Sequence, residues 1–242
     1  MLPVYRLGIL FLLLTGALRG ESEWLDPDRT ASAGTTYQTF LSKAIGGEAS
    51  FLLYLPPGYE ASADRRYPVL CWLHGLNGTQ RRGEFLVGQL DAAIREGQAP
   101  PMIAVLVNNL RDSMYIDSKD GRRPIASVIV YDLIPHVDRT FRSISSRDAR
   151  AIEGYSMGGH GAAVVGFGHP DVFGLVSVMA GALHDETSLA ERRPEVFQKV
   201  SGGDPSYYRA RSPWTVLERN AGRIRGRTRV RIGCGDQDGL IE

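Results

Sequence analysis

Apolar and polar positions fall in blocks along this chain, and the blocks predict its elements. Thr35–Lys43 and Glu48–Leu55 are rich in β-branched and aromatic residues and flank Gly46-Gly47, the pattern of a hairpin. Pro56-Pro57-Gly58 ends it. Tyr67–Leu73 (YPVLCWL) and Met102–Val107 (MIAVLV) are short, nearly continuous apolar runs, as strands buried on both faces of a parallel sheet require. Phe85–Glu96 carries apolar residues at helical spacing. Ile125, Val128, Ile129, Leu133, Ile134 and Val137 mark one face of an amphipathic helix over 125–141, with Pro135 placed to kink or divide it. Ala149–Glu153 reads as a strand, Met157–Phe167 as a helix of small residues, and Leu175–Met179 and Thr228–Cys234 as further strands. Strands alternating with helices after an opening hairpin predict a mostly parallel sheet with helices on both faces. In such sheets the ligand site lies at the carboxyl ends of the strands.

The first twenty residues stand apart. Leu7–Leu14 (LGILFLLL) follows a weakly basic start and precedes small residues ending at Gly20. The run is well short of the ~20 apolar residues that span a bilayer, so 1–20 reads as a secretory signal peptide rather than an uncleaved anchor. That implies a secreted or periplasmic protein with no stable membrane association after cleavage. Residues 21–242 then form one α/β domain, since no repeat, low-complexity tract or linker divides them.

Lys and Arg number 28 against 27 Asp and Glu, a formal charge of +1 that becomes −1 once Arg6 and Arg19 leave with the signal. So even a balance argues against a nucleic-acid partner or a polybasic membrane-surface role. Gly, at 28 of 242 residues, exceeds the usual ~7% and suits tight turns and close backbone approaches. Cys71 and Cys234 both sit in apolar strand-like runs and read as small buried hydrophobes. No Cys/His cluster has zinc spacing, and no metal or cofactor is expected.

Gly154-Tyr155-Ser156-Met157-Gly158 is a G-x-S-x-G with a strand running in and a helix running out, the setting of a nucleophile elbow. Ser156 is the candidate nucleophile. Gly is needed two residues either side because the turn crowds them together. Leu73-His74-Gly75-Leu76-Asn77-Gly78 ends the early buried strand, where backbone N–H groups can stabilise an oxyanion. The donors assigned are Leu76 and Met157. His74, Tyr155 and His160 are candidate substrate contacts, His160 being also a candidate structural residue one turn along the helix from Ser156.

LHGLNG, GYSMGGHGA and the closing GCGDQDGL resemble the α/β-hydrolase esterases grouped around esterase D, the feruloyl esterases and the secreted mycolyltransferases. YLPPGY (54–59) and DSKDGR (117–122) extend the likeness. It implies the α/β-hydrolase fold, a Ser–acid–His triad in that chain order, an acyl-enzyme and no cofactor. The acid is Asp238 or Asp236. The resemblance favours Asp238, because Gly235–Asp238 with Leu240 matches the family's spacing.

The family's histidine belongs some tens of residues after the acid, yet only four residues follow Asp238. All five histidines, His74, His136, His160, His169 and His184, precede it. Of these, only His184 has a path to the site. The expectation is therefore that a last helix and strand are missing from the chain, leaving the Thr228–Cys234 strand with an open edge. The arginines at 223, 225, 227, 229 and 231 alternate with other residues and read as the solvated side of that strand. Asp117–Gly121 lacks the acids of a calcium loop, and Tyr115–Asp120 reads as a loop over the site.

Together these readings predict an exported serine esterase acting on acetyl or aromatic acyl esters of carbohydrate. The alternatives are an acyltransferase with a sugar hydroxyl as acceptor, or an inactive binding protein of the same fold.

Overall fold

A computed structural model describes residues 22–30, 34–108 and 110–238. The expected signal peptide, residues 1–20, lies outside them. Among the described residues no helix is long and apolar enough to cross a membrane.

Seven strands form one sheet in the order β1-β2-β4-β3-β5-β6-β7. β1 (Thr35–Ser42) and β2 (Gly47–Tyr54) are the antiparallel hairpin, and β2 also runs antiparallel to β4 (Ile103–Val107). From β4 onward the pairing is parallel, through β3 (Val69–Leu73), β5 (Arg150–Tyr155), β6 (Leu175–Met179) and β7 (Arg229–Gly233). The strand order reverses after β4, and the second half of the chain builds outward past β3.

Side chains alternate across this sheet, so β2, β3 and β4 each feed two cores. Phe51, Leu53, Val69, Cys71, Val105 and Ile152 face the larger core, with the helices that follow β4, β5 and β6. Leu52, Tyr54, Trp72, Ala104 and Leu106 face a smaller core closed by Val87 and Ile94 of α1 (Glu84–Arg95). The helices do lie on both faces, unequally.

The amphipathic stretch 125–141 is helical, and Pro135 neither ends nor divides it. A short α2 (Ile125–Ser127) passes into a π-helical segment, Val128–Leu133, and then into α3 (Ile134–Thr140) with Pro135 in its first turn. The wider π turn just upstream suits a residue that has no N–H to give and whose ring would crowd an α-helical carbonyl.

α4 (Met157–Gly168) is buried over almost its whole length, between the sheet and α8 (Pro213–Ile224). That position explains its small side chains and lack of a polar face. Between β6 and α8 stand α5 (Glu186–Arg192), α6 (Pro194–Ser201) and α7 (Pro205–Arg209), each opened by an Asp cap or a proline.

β7 is an edge strand among the described residues, and it corrects two readings. Val230 and Ile232 are exposed along with the arginines, so the alternation there does not separate a wet side from a buried one. Cys234 is exposed, whereas Cys71 is buried in the central sheet as expected. Among the described residues no element covers β7, which leaves Val230 and Ile232 exposed.

One buried ion pair ties the helices to the sheet. Arg150, at the start of β5, meets Asp138 of α3 at 2.6 Å, and Asp138 also accepts from the hydroxyls of Ser143 and Ser145. Asp138→Ala leaves the guanidinium buried without its carboxylate, and we expect a loss of about 3–5 kcal/mol in urea unfolding. A loss below about 1 kcal/mol would show that the pair is solvated.

Candidate active site

β5 runs straight into Ser156, and α4 begins at the next residue. The strand-to-helix switch is made at Ser156 itself, which sits at φ 57°, ψ −119°, a region that costs an L residue about 1–3 kcal/mol. Hydrogen bonds hold it there. Its N–H donates to Met179 O at the end of β6, and its carbonyl accepts from His160 N and Ala182 N. Gly154 and Gly158 are required by contact: a Cβ at 154 would lie 2.1 Å from Gly158 O, and one at 158 would lie 2.0 Å from Leu73 O. The turn leaves no room for side chains on its flanks.

Among the described residues four other non-glycine residues have positive φ: Asn77, Met114, Tyr115 and Ala180. Asn77 and Ala180 follow β3 and β6 closely, and Met114 lines the cavity at Ser156. Backbone strain in this molecule is thus gathered around the carboxyl ends of the central strands.

The loop after β3 comes close to Ser156, since a Cβ on Gly75 would be 3.4 Å from Ser156 Cβ. A cavity of about 110 Å³ opens at Ser156, lined by Leu76, Met114, Met157, Ala182, His184, Leu189, Arg193 and Val196. Both residues expected to supply oxyanion donors therefore border it. Met157 is the first residue of α4, so its N–H has no carbonyl one turn back within the helix. The wall is mostly apolar, with Arg193 and His184 as its titratable groups. Met114, Leu189, Arg193 and Val196 were not singled out by motif. They come from three segments that meet only in the fold, and no local spacing marks them.

Asp238 follows β7, two strands from the β5 strand that leads into Ser156, and accepts a hydrogen bond from Cys234; desolvation and this carboxylate together raise the Cys234 thiol pKa. Asp236 is exposed, whereas Asp238 is half-buried. His184 lies on the segment after β6 and borders the Ser156 cavity, with its Nδ1 2.9 Å from Ser188 Oγ. His136 packs among Phe40, Phe51 and Phe141. His169 caps the far end of α4.

With this geometry in view, residues 42–241 match the family model Esterase, described as "Putative esterase". The chain belongs to this esterase family. It is 28% identical over 174 residues to an endo-1,4-beta-xylanase/feruloyl esterase of Xylanibacter ruminicola, covering 69% of this chain and 24% of that protein. It is 33% identical over 132 residues to esterase Rv1288 of Mycobacterium tuberculosis, covering 52% of this chain and 27% of that protein. The chain thus spans about a quarter of the length of each of these relatives. The solved structure of FphF, a fluorophosphonate-binding serine hydrolase of Staphylococcus aureus with substrate bound, superposes with a TM-score of 0.71 at 19% identity, covering 86% of this chain and 81% of that one. At that identity the match speaks for the fold, and it confirms the α/β-hydrolase architecture.

Within this esterase-family fold, two of the three expected substrate contacts are placed otherwise. His74 and His160 are fully buried. His74 donates through Nδ1 to Gly75 O, and its own carbonyl accepts from Tyr115 OH, which stiffens the loop after β3. His160 Nδ1 is 3.0 Å from Met114 O; a carbonyl only accepts, so Nδ1 carries a proton, while Nε2 lies 3.1 Å from Tyr208 OH, which donates to His184 O. Both rings position backbone and do not face the cavity. Tyr155 is 57% exposed beside Ser156, so its ring is open to solvent at the elbow.

The 115–120 segment also differs from expectation. Tyr115 is buried against α4 at Gly161, so this loop supports the elbow from the side instead of covering it. Asp117 accepts from the N–H and hydroxyl of Ser127, and Asp120 from Ser118 and Arg122. Both carboxylates serve local turns.

Burial drives the His160 pKa down from 6.5 to about 4, with the Met114 carbonyl opposing and His184 adding to the shift. The unfolded chain takes up a proton at this site near pH 6.5, while the folded one stays neutral until about pH 4. Stability from the neutral ring is complete above the unfolded value and is lost as pH falls toward the folded one, by about 3 kcal/mol in all. Burial shifts His136 and His169 in the same direction. We expect urea midpoints to fall between about pH 7 and pH 4.5, and His160→Gln to flatten that slope. An unchanged slope in the variant would assign the effect elsewhere.

Proposed function

We propose that this chain is a serine carboxylic-ester hydrolase with Ser156 as nucleophile. The observation that carries the reading is Ser156 itself, a non-glycine residue held at positive φ on top of a central strand, opening into a cavity bordered by Leu76 and Met157. Its Oγ attacks the ester carbonyl carbon, and the carbonyl oxygen becomes anionic against the N–H groups of Leu76 and Met157. A base takes the hydroxyl proton and returns it to the leaving alcohol, which departs and leaves an acyl-enzyme. Water then adds by the same route and releases the acid.

Asp238 is the acid that orients the base. It stands in the chain order that the family resemblance implies, and it is the less exposed of the two candidates. That order puts the base after Asp238, whereas His184 is the histidine that borders the Ser156 cavity among the described residues. Comparing His184→Gln with Ser156→Ala separates the two sources. Equal losses assign the base to His184, and a loss of only a few-fold assigns it to the residue that the chain order names.

The exported esterase acts on carbohydrate esters. Residues 1–20 have the make-up of a cleaved signal, leaving 21–242 as the working domain in a secreted or periplasmic setting. One similar protein is named as a xylanase/feruloyl esterase, which supports a polysaccharide ester. The acyl group, acetyl or aromatic, enters the cavity at Ser156. The test is hydrolysis of p-nitrophenyl acetate and an acetylated oligosaccharide by the wild type and Ser156→Ala, with intact-protein mass spectrometry for an acyl group on Ser156. Full retention of activity in the variant, or an acyl group on another residue, overturns the proposal.

A further inference from the structure

Beside the Ser156 cavity lies a second pocket of about 500 Å³, lined by Gly181, Ala182, Leu183, His184, Asp185, Ser188, Arg192 and Trp214. Ala182 and His184 line both, so the two spaces share a wall. Trp214 is in the first turn of α8, after the Ser212 cap and the buried Pro213, so its backbone is firmly held. The indole itself is 50% exposed, although a tryptophan has more apolar surface to bury than any other residue. Its Nε1–H makes no hydrogen bond among the described residues. Among the described residues Trp214 belongs to neither of the two cores.

The rim gives the chemistry of what the plate receives. His184, Asp185, Ser188 and Arg192 supply donors and acceptors around it, and one acid balances one permanent cation. Such a rim suits a neutral ligand rich in hydroxyl groups. An indole face carries a negative quadrupole and attracts the slightly positive C–H face of a pyranose ring, while the ring's equatorial hydroxyls reach outward to the polar rim. The volume is within the ~300–1,000 Å³ of small-ligand sites.

We propose that this pocket is a sugar-ring subsite with Trp214 as its stacking platform. It holds the carbohydrate on the alcohol side of the ester while the acyl group enters the Ser156 cavity. As a part of catalysis the subsite rests on the ester-hydrolase reading, but sugar binding itself can be measured without turnover.

The chain has three tryptophans, and Trp24 and Trp72 are 6% and 8% exposed, so a sugar-induced change in fluorescence reports on Trp214. Titration of the full chain with xylotetraose is expected to give a saturable change in the millimolar range, absent in Trp214→Ala and partly kept in Trp214→Phe. In turnover, Trp214→Ala is expected to raise KM for an acetylated xylo-oligosaccharide by on the order of tenfold, with a much smaller change for methyl acetate, whose alcohol carries no ring to stack. No saturable change in the wild type overturns the subsite, as does an unmoved KM for the sugar ester. A KM for methyl ferulate raised as much as that for the sugar ester assigns the plate to the acyl group and also overturns it. Trp214-dependent sugar binding in a protein that hydrolyses no ester keeps the subsite and overturns the esterase reading instead.

Discussion

Ser156→Ala is expected to lower kcat for ester hydrolysis by on the order of a million-fold, the size of effect seen when the nucleophile of a serine hydrolase is removed. The loss is chemical and not structural. Alanine keeps the same backbone hydrogen bonds, its N–H donating to Met179 O and its carbonyl accepting from His160 N and Ala182 N. The folded variant should therefore match the wild type in circular dichroism and lie within about 1 kcal/mol of it in urea. What disappears is the Oγ that bonds to the acyl carbon. Oxyanion donors and substrate binding remain, so a residual rate above the uncatalysed one should survive. A variant within about tenfold of wild type would mean that another group carries the reaction.

Gly158→Ala is expected to have the largest effect on stability. The added Cβ would lie 2.0 Å from Leu73 O and 2.8 Å from His74 O, both backbone atoms of a central strand and the loop behind it. No side-chain rotation relieves such a contact, so the elbow or the β3 end must move, and both are set by sheet pairing. We expect a loss beyond about 4–5 kcal/mol, a large part of the ~5–15 kcal/mol that holds a typical domain together. Little soluble folded protein should be recovered. Gly88 supplies the control: it is in α1, and a methyl added there would meet nothing within 4 Å, so Gly88→Ala should be neutral or stabilising by up to ~1 kcal/mol. If Gly158→Ala folds with a midpoint near the wild type, the close approach of α4 to β3 is not required.

Much of this architecture could be read in one dimension because its signals are local. Apolar runs in β3 and β4 need no partner to identify them, and Gly154, Ser156 and Gly158 are linked by a single turn. Pro135 shows where a local rule fell short. Proline disfavours an α-helix, but the π turn that accommodates it depends on how the whole 125–140 segment packs into the core. The histidines at 74 and 160, offered as substrate contacts and His160 also as a structural residue, turn out buried for a related reason. Their spacing from the motifs was informative about distance from Ser156 and silent about which way each ring turns. His160 turns toward Met114 and Tyr208, residues 46 and 48 positions away in the chain.

The amino-acid sequence by itself determined the mostly parallel sheet, the place of the elbow on it and the identity of the candidate nucleophile. Each follows from hydrophobic period or from the steric need for glycine at a tight turn. Only the tertiary structure decided the cavity wall, the buried state of two histidines, the exposure of Cys234 and the neighbourhood of His184 and Trp214. Those depend on segments far apart in the chain meeting at the carboxyl ends of the strands, and the free energy that sets such meetings is burial summed over the whole core, which no short stretch of sequence contains.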